Sequence, residues 1–386
     1  MKTRGDIEKV IKEVEDYIIK EDYKGYDPFD ALNSPLFRLP ILSTNKTIRF
    51  FAQQIFRRLP INFRPQLGIK KEVNPVTLGF CIQAYTYLSQ IYFEKREYYL
   101  NEINKLLEKL INLRSEGYSG YCWGYNFDWE ARYAKIPKFT PTVVATGIIT
   151  NCIYEFYKIY KDKKAEELLI SSANFILSDL NRSYEGDTFC FSYSPNDYQK
   201  VFNATMKAAR LLAQVYSITG NLELVSEAEN TIRFVSNNQN SDGSWYYSKG
   251  DARSWIDNFH TAYVLDSLKS FIELTGKEKY KSVLEKGFNY YLNNLFTSEG
   301  LPKYYSKSFY PIDSTEFAQV LITLLEFGEL DKANKVLQFI LDKFYSGFGF
   351  FYYQLNGIPI KIGYMRWSTA YLFLAITKYY SRGKIT

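Results

Sequence analysis

Residues 313–344 read DSTEFAQVLITLLEFGELDKANKVLQFILDKF, and their punctuation decides the fold. Phe317, Val320, Leu321, Leu324 and Leu325 recur at i, i+3, i+4, i+7 and i+8, the apolar stripe of an amphipathic helix. Asp313 and Glu316 stand at capping-box spacing at its start, and Gly328 closes it just before a more charged helical stretch. The unit is therefore an apolar helix, a tight turn, and a charged helix running back.

Outward from that stretch the unit repeats. Apolar segments at 75–93, 141–160, 199–219, 257–275, 313–327 and 366–380 start 53 to 66 residues apart. Charged, half-solvated helices are predicted at 97–113, 163–180, 278–295 and 330–344. The stripe Leu222, Val225, Ala228, Ile232, Val235 marks another, and residues 1–20 supply the sixth. Gly220 and Gly276 repeat the role of Gly328, while Asn74-Pro75 and Thr140-Pro141 read as a cap followed by proline in the first turn. A long period carried through six copies is an array of helical hairpins. Each outer helix runs into a loop rich in glycine and aromatic residues, at 120–125, 186–193, 243–247, 300–305 and 347–353. The expected fold is all-α: one (α/α)6 toroid over 1–386, six inner and six outer helices, with aromatic loops rimming a central cavity. Residues 21–74, rich in proline and aromatics, are expected as an irregular extension wrapped over one rim.

Composition narrows the function. Of 386 residues 46% are hydrophobic and 23% charged, ordinary for a globular chain and too apolar for disorder. The net charge of +6 is mild and not blocked into a tail, which argues against a nucleic-acid partner. Aromatics reach 18%, led by 35 Tyr, a side chain with an apolar body and a wet tip, as a deep ligand cavity would use. No window has the length and apolarity of a membrane-crossing helix, and residues 1–20 lack the apolar core of a secretion signal, so a cytoplasmic location is expected. Cys81, Cys122, Cys152 and Cys190 lie far apart without a CxxC pair, and no spacing argues for a metal or another cofactor.

Phe234, Val235, Gln239, Gly243 and Trp245 are spaced as in the QW repeat and so resemble the squalene-cyclase-type α-toroids. That resemblance implies a glutamine tying a helix end and a tryptophan stacking across hairpins, and says nothing of chemistry. The stretches at 26–35 (YDPFDALNSP), 122–129 (CWGYNFDW), 191–195 (FSYSP) and 257–261 (DNFHT) resemble an uncharacterised bacterial and archaeal family. That family occurs among surface-polysaccharide biosynthesis proteins and is similar to glucuronyl C5-epimerase and glycosidase toroids. The resemblance spans nearly the whole chain and implies a sugar ligand.

The residues themselves offer several candidate sites. Asp128 and Glu130 lie beside Trp123, Tyr125, Trp129 and Arg132; pyranose C–H faces pack on rings while sugar hydroxyls bond to acids. A loop-fixing ion pair to Arg132 would give the same pattern. Trp255, Asp257, Asn258 and His260 open the fourth inner helix. His260, the sole histidine, is the side chain able to exchange a proton near neutrality without large tuning, and Asp257 also reads as an N-cap. Tyr193 and Tyr305 are candidate acids, and Trp245, Tyr353 and Trp367 candidate stacking surfaces. Arg366 is placed either to clamp a uronate carboxylate or to hold an internal ion pair.

Two mechanisms fit a carbohydrate substrate. Epimerase or lyase chemistry at a uronate needs a base, an acid on the opposite face, and a cation on the carboxylate; His260, a tyrosine made more acidic by neighbouring cations, and Arg366 or Arg132 would serve. Glycoside hydrolysis needs two facing carboxyls, with Asp128 or Glu130 across from Asp257 or Glu316. A non-catalytic glycan-binding toroid would use the same aromatics. Epimerase or lyase chemistry is the favoured expectation.

Overall fold

The computed structural model describes residues 3–382. Its helices are α1 (Arg4–Lys20), α2 (Pro40–Thr44), α3 (Lys46–Phe56), α4 (Pro75–Ile91), α5 (Arg96–Asn112), α6 (Val143–Tyr160) and α7 (Lys163–Asp179) in the first half. In the second half come α8 (Phe202–Thr219), α9 (Leu222–Asn237), α10 (Asn258–Thr275), α11 (Lys281–Asn294), α12 (Ser314–Glu326), α13 (Leu330–Phe339) and α14 (Tyr371–Arg382). Helices α4, α6, α8, α10, α12 and α14 each pack on the next, and α14 packs back on α4. The inner ring is therefore closed. Helices α5, α7, α9, α11, α13 and α1 lie outside it, each against the inner helix next to it in the chain or the ring and α7 against both α6 and α8, so the expected (α/α)6 toroid is the observed architecture.

Sequence explains which helices go inside. In α4, every residue from Pro75 to Ser89 is buried, which suits a helix apolar on nearly all sides. In α5 only Tyr99, Ile103, Leu106, Leu107 and Leu110 are buried, a single stripe. Tight turns join inner to outer partners: Gly220 and Gly276 adopt φ of 70° and 67° as left-handed caps of α8 and α10, where a Cβ would be strained. Two expected starts differ. Helix α6 is capped by Thr142, whose Oγ1 accepts from the Ala145 N–H, two residues beyond the predicted Thr140. At α12 the Asp313 carboxylate caps Thr315 N–H, yet Glu316 returns no bond: both of its carboxyl oxygens are buried without a partner. There is no capping box.

The ties implied by the QW-like spacing are present. Gln239 Nε2 donates to the carbonyls of Gly243 and Val283, linking the end of α9 to α11, and Trp245 Nε1 donates to Val235 O at 2.9 Å. The Trp245 ring lies where a Cβ on Gly287 would come within 2.5 Å of it, so only glycine lets the two approach.

Short ladders organise the loops: β1 (Lys24–Gly25) with β2 (Glu72–Val73), β3 (Trp129–Glu130) with β4 (Lys135–Ile136), β5 (Arg182–Glu185) with β6 (Thr188–Phe191), and β7 (Lys200–Val201) with β8 (Ser248–Lys249). The first pair closes the extension into an excursion anchored at both ends. Expected as irregular, it contains α3, whose inward face is polar. Arg49 reaches Asp128 and Glu130, each at 2.9 Å, and Gln53 bonds the backbones of Phe29, Asp128 and Glu130. Arg64 pairs with Asp30 at 2.6 Å, and Asp27 binds Arg366 through two parallel bonds of 2.7 and 2.9 Å. Buried charge pairs hold the strap over the rim, beside aromatic packing of Phe29 on Phe127, Trp129 and Trp367. No described helix is long and apolar enough to cross a membrane.

Candidate functional site

The first turns of all six inner helices open onto one cavity of about 380 Å3, roofed in part by Phe29 and by Phe50, Gln54 and Arg57 of the extension. Helix N-termini carry partial positive charge, so six of them converging favour an anionic ligand. The floor is aromatic. Phe80 and Tyr371 stack with ring centres 4.2 Å apart, and the Tyr371 hydroxyl meets that of Tyr263 at 3.2 Å. Beneath them a second cavity of about 160 Å3 lies towards the other end of the barrel, so the upper cavity is entered from the loop side.

His260 stands on the cavity wall. Its Nδ1 lies 2.7 Å from Asp257 Oδ2, while Asp257 Oδ1 caps its backbone N–H at 2.9 Å and Trp255 Nε1 donates to Oδ2 at 3.0 Å. The carboxylate thus fixes the ring and occupies Nδ1, leaving Nε2, which has no hydrogen-bond partner among the described residues, as the nitrogen for a ligand. Tyr247 packs edge-on against the imidazole at 4.6 Å. Asp257 is both cap and orienting group: the N-cap role accounts for Oδ1, and the imidazole and indole for Oδ2.

Asp313, the cap of the next inner helix α12, repeats the pattern. Trp367 Nε1 donates to Oδ1 at 2.9 Å, Gln354 Nε2 to Oδ2 at 2.7 Å, and the carboxyl faces the cavity. Burial raises its pKa, against the lowering effect of those bonds. Glu316 behind it is raised further, by burial first and then by Asp313 and Asp257. It faces no part of the cavity.

Of the residues singled out from sequence, Tyr125, Trp129, Arg132, Tyr193, Trp255, Asp257, His260, Tyr305, Tyr353, Arg366 and Trp367 line this one cavity. Five others do not. Asp128 and Glu130 turn to Arg49, an ion pair with the strap in place of the expected loop pair with Arg132. Trp123 and Trp245 are wholly or almost wholly buried, their indoles spent on the carbonyls ending α5 and α9, Leu110 O and Val235 O. Asn258 is buried and donates to Leu295 O.

Arg366 is committed to the internal pair with Asp27, although its guanidinium still stacks near Tyr125 and Trp367. Sequence reading missed two cavity cations, Arg253, which is paired with Asp251, and Arg57, from the end of α3. Arg57 lies over the Phe29 ring at 5.3 Å with no carboxylate paired to it among the described residues. The tyrosines also differ from expectation. Burial pushes Tyr193 well above its ordinary value and raises Tyr125 and Tyr305; Arg366 opposes this at Tyr125 without overcoming it. Burial thus favours the protonated hydroxyl at all three. Among the described residues no cluster of three or more His, Cys, Asp or Glu is arranged to hold a metal.

Known structures share this architecture. An unsaturated glucuronyl hydrolase specific for heparin superposes with a TM-score of 0.63 over 99% of this chain and 98% of its own, at 12% identity. The cellobiose 2-epimerase of Spirochaeta thermophila gives 0.61, over 81% and 87%, at 11% identity. A family 76 glycoside hydrolase, an alpha-mannanase of Bacteroides thetaiotaomicron, gives 0.55, over 80% and 86%, at 16% identity. No protein-family model and no curated protein matches the sequence. At such identities the likeness is one of fold, and chemistry must be argued from the residues.

Proposed function

We propose that the chain is a carbohydrate-active enzyme that carries out epimerase or lyase-type acid–base chemistry on a uronate-containing glycan. The observation that carries this reading is the Asp257–His260 pair on the wall of an aromatic cavity, with one imidazole nitrogen left for a ligand. Trp129 and Trp255, both still partly exposed, offer ring faces to pyranose C–H groups. Arg57 takes the carboxylate, the role sequence reading gave to Arg366 or Arg132. The C5 proton then passes to His260 Nε2, and its electron pair delocalises into the carboxylate beside Arg57. A hydroxyl of Tyr193 or Tyr305 returns a proton to the opposite face, which inverts C5. Loss of the substituent at C4 in place of that return is the lyase outcome. Tyr305 is the better proton donor of the two, since Arg57 and Arg58 oppose the effect of burial on its hydroxyl, whereas burial and its neighbours hold Tyr193 well above its ordinary value and make it the weaker acid.

Structures sharing this fold include sugar epimerases and glycoside hydrolases by name, which favours a sugar ligand. A role in surface-polysaccharide metabolism rests on the sequence resemblance. A second reading, glycoside hydrolysis, draws on Asp257 and Asp313, two carboxyls capping adjacent inner helices and facing one cavity, with Asp313 shifted towards its protonated form. The experiment is incubation with uronate oligosaccharides in heavy water. Deuterium at C5 or a new unsaturated end is the expected result. New saturated reducing ends would transfer the chemistry to the two aspartates, and neither product would leave a binding toroid.

A further inference from the structure

The strap that crosses the rim is built inside out. On α3 the residues facing the ring are Arg49 and Gln53, whereas Ile48, Phe51 and Ile55, at i, i+3 and i+7, face solvent, Phe51 and Ile55 more than half exposed. The apolar face extends beyond the helix: Leu36, Leu39, Ile41 and Ile61 are each about half exposed or more. Eight of the 22 exposed large apolar or aromatic side chains among the described residues fall within residues 36–63, a concentration on one segment and not the scatter every surface carries.

Charge identifies what the patch fits. Residues 31–71 contain eight Lys or Arg and no Asp or Glu, in a chain where acids nearly balance bases. Arg49, Arg64 and Lys71 are spent on ion pairs within the protein. Arg38, Lys46, Arg58 and Lys70 are exposed, and none is paired with a carboxylate among the described residues. Exposed Ile, Leu and Phe flanked by unpaired basic side chains form the surface that lies in the headgroup region of an anionic bilayer, rings and alkyl groups inserted and cations at the phosphates. A protein partner of matching apolar shape would not call for the complete absence of acids over 41 residues.

We infer that residues 36–63 dock this protein on the surface of a membrane containing anionic lipid. Phe50, Gln54 and Arg57 on the adjoining face of α3 line the cavity, so docking holds the cavity mouth next to the bilayer. The inference is independent of the reaction carried out inside.

Flotation of the full chain with vesicles tests it. Vesicles of phosphatidylcholine with phosphatidylglycerol should retain the protein at least tenfold better than phosphatidylcholine alone, each Lys or Arg near the surface contributing about fivefold, and added salt should weaken retention. The F51E/I55E double variant should lose at least tenfold of that binding with its melting temperature unchanged, since both side chains point to solvent. Equal binding of variant and wild type, or no retention by anionic vesicles, overturns the inference. So does a concentration-dependent dimer in sedimentation, broken by the same variant and indifferent to lipid, which would assign the patch to a second copy of the chain.

Discussion

Replacing His260 with Gln is expected to lower turnover of a uronate oligosaccharide by about 10²–10⁴-fold, the range a positioned general base supplies. Glutamine keeps a hydrogen-bonding group of similar reach and removes the titrating nitrogen. The ring is partly exposed, with its side chain at 24%, and its fixed contact is to Asp257, so the fold should tolerate the change. Asp257→Asn separates the two jobs of that carboxylate. Asparagine caps helices about as well as aspartate, so α10 should keep its start, but an amide cannot hold the imidazole with Nδ1 protonated and stabilise its cation. Loss of turnover in both variants, with melting temperatures near wild type and oligosaccharide binding retained, is the expected pattern. Full activity in His260→Gln would remove the proton-transfer mechanism and leave Asp257 and Asp313 as the groups to examine.

Asp27→Ala should be the most damaging single change to stability. The Asp27 carboxylate takes two bonds from the Arg366 guanidinium, both groups are buried, and the pair joins the strap to the π-helical turn Met365–Ala370 that leads into α14. Removing one partner leaves a buried charge uncompensated, at a cost of about 3–5 kcal/mol. Chemical denaturation should register that loss. Proteolysis of the native variant should cut first within residues 26–71, because β1 and β2 would still hold the ends of the strap. Arg366→Met combined with Asp27→Ala should recover much of the stability, since an apolar side chain of similar length demands no counter-charge. A variant as stable as wild type, or a double variant worse than the single, would show that the pair does not hold the strap.

The ring was legible because its signals are local. Apolar stripes, glycines after inner helices and caps before them act over a few residues, and six repeats average out errors such as Thr140 for Thr142 at the start of α6. The site was legible where a side chain sits in the first turn of an inner helix, as Asp257 and His260 do. It was obscure where the partner comes from far along the chain. Asp128 and Glu130 look like sugar-binding acids until Arg49, some 80 residues upstream, takes both, and Arg366 looks like a carboxylate clamp until Asp27, 339 residues away, fills its fork. Trp123 and Trp245 mislead differently: an aromatic loop residue can rim a cavity or close off the end of the outer helix before it, and spacing does not tell which. The acid-free run over 31–71 was visible in the sequence. Its excess of unpaired cations was the available signal that an arginine of the strap, Arg57, would reach the cavity.

His260 is the sole histidine, so its imidazole signals in a 15N-labelled sample report on the cavity without assignment ambiguity. Titration with a uronate oligosaccharide, followed by long-range 1H–15N correlation of that ring, tests whether a sugar sits where the geometry directs it. A saturable shift at Nε2 and the adjacent carbons is expected, with Nδ1 protonated throughout against Asp257. An imidazole spectrum unmoved by a sugar that the protein demonstrably binds would put the ligand elsewhere and contradict that placement.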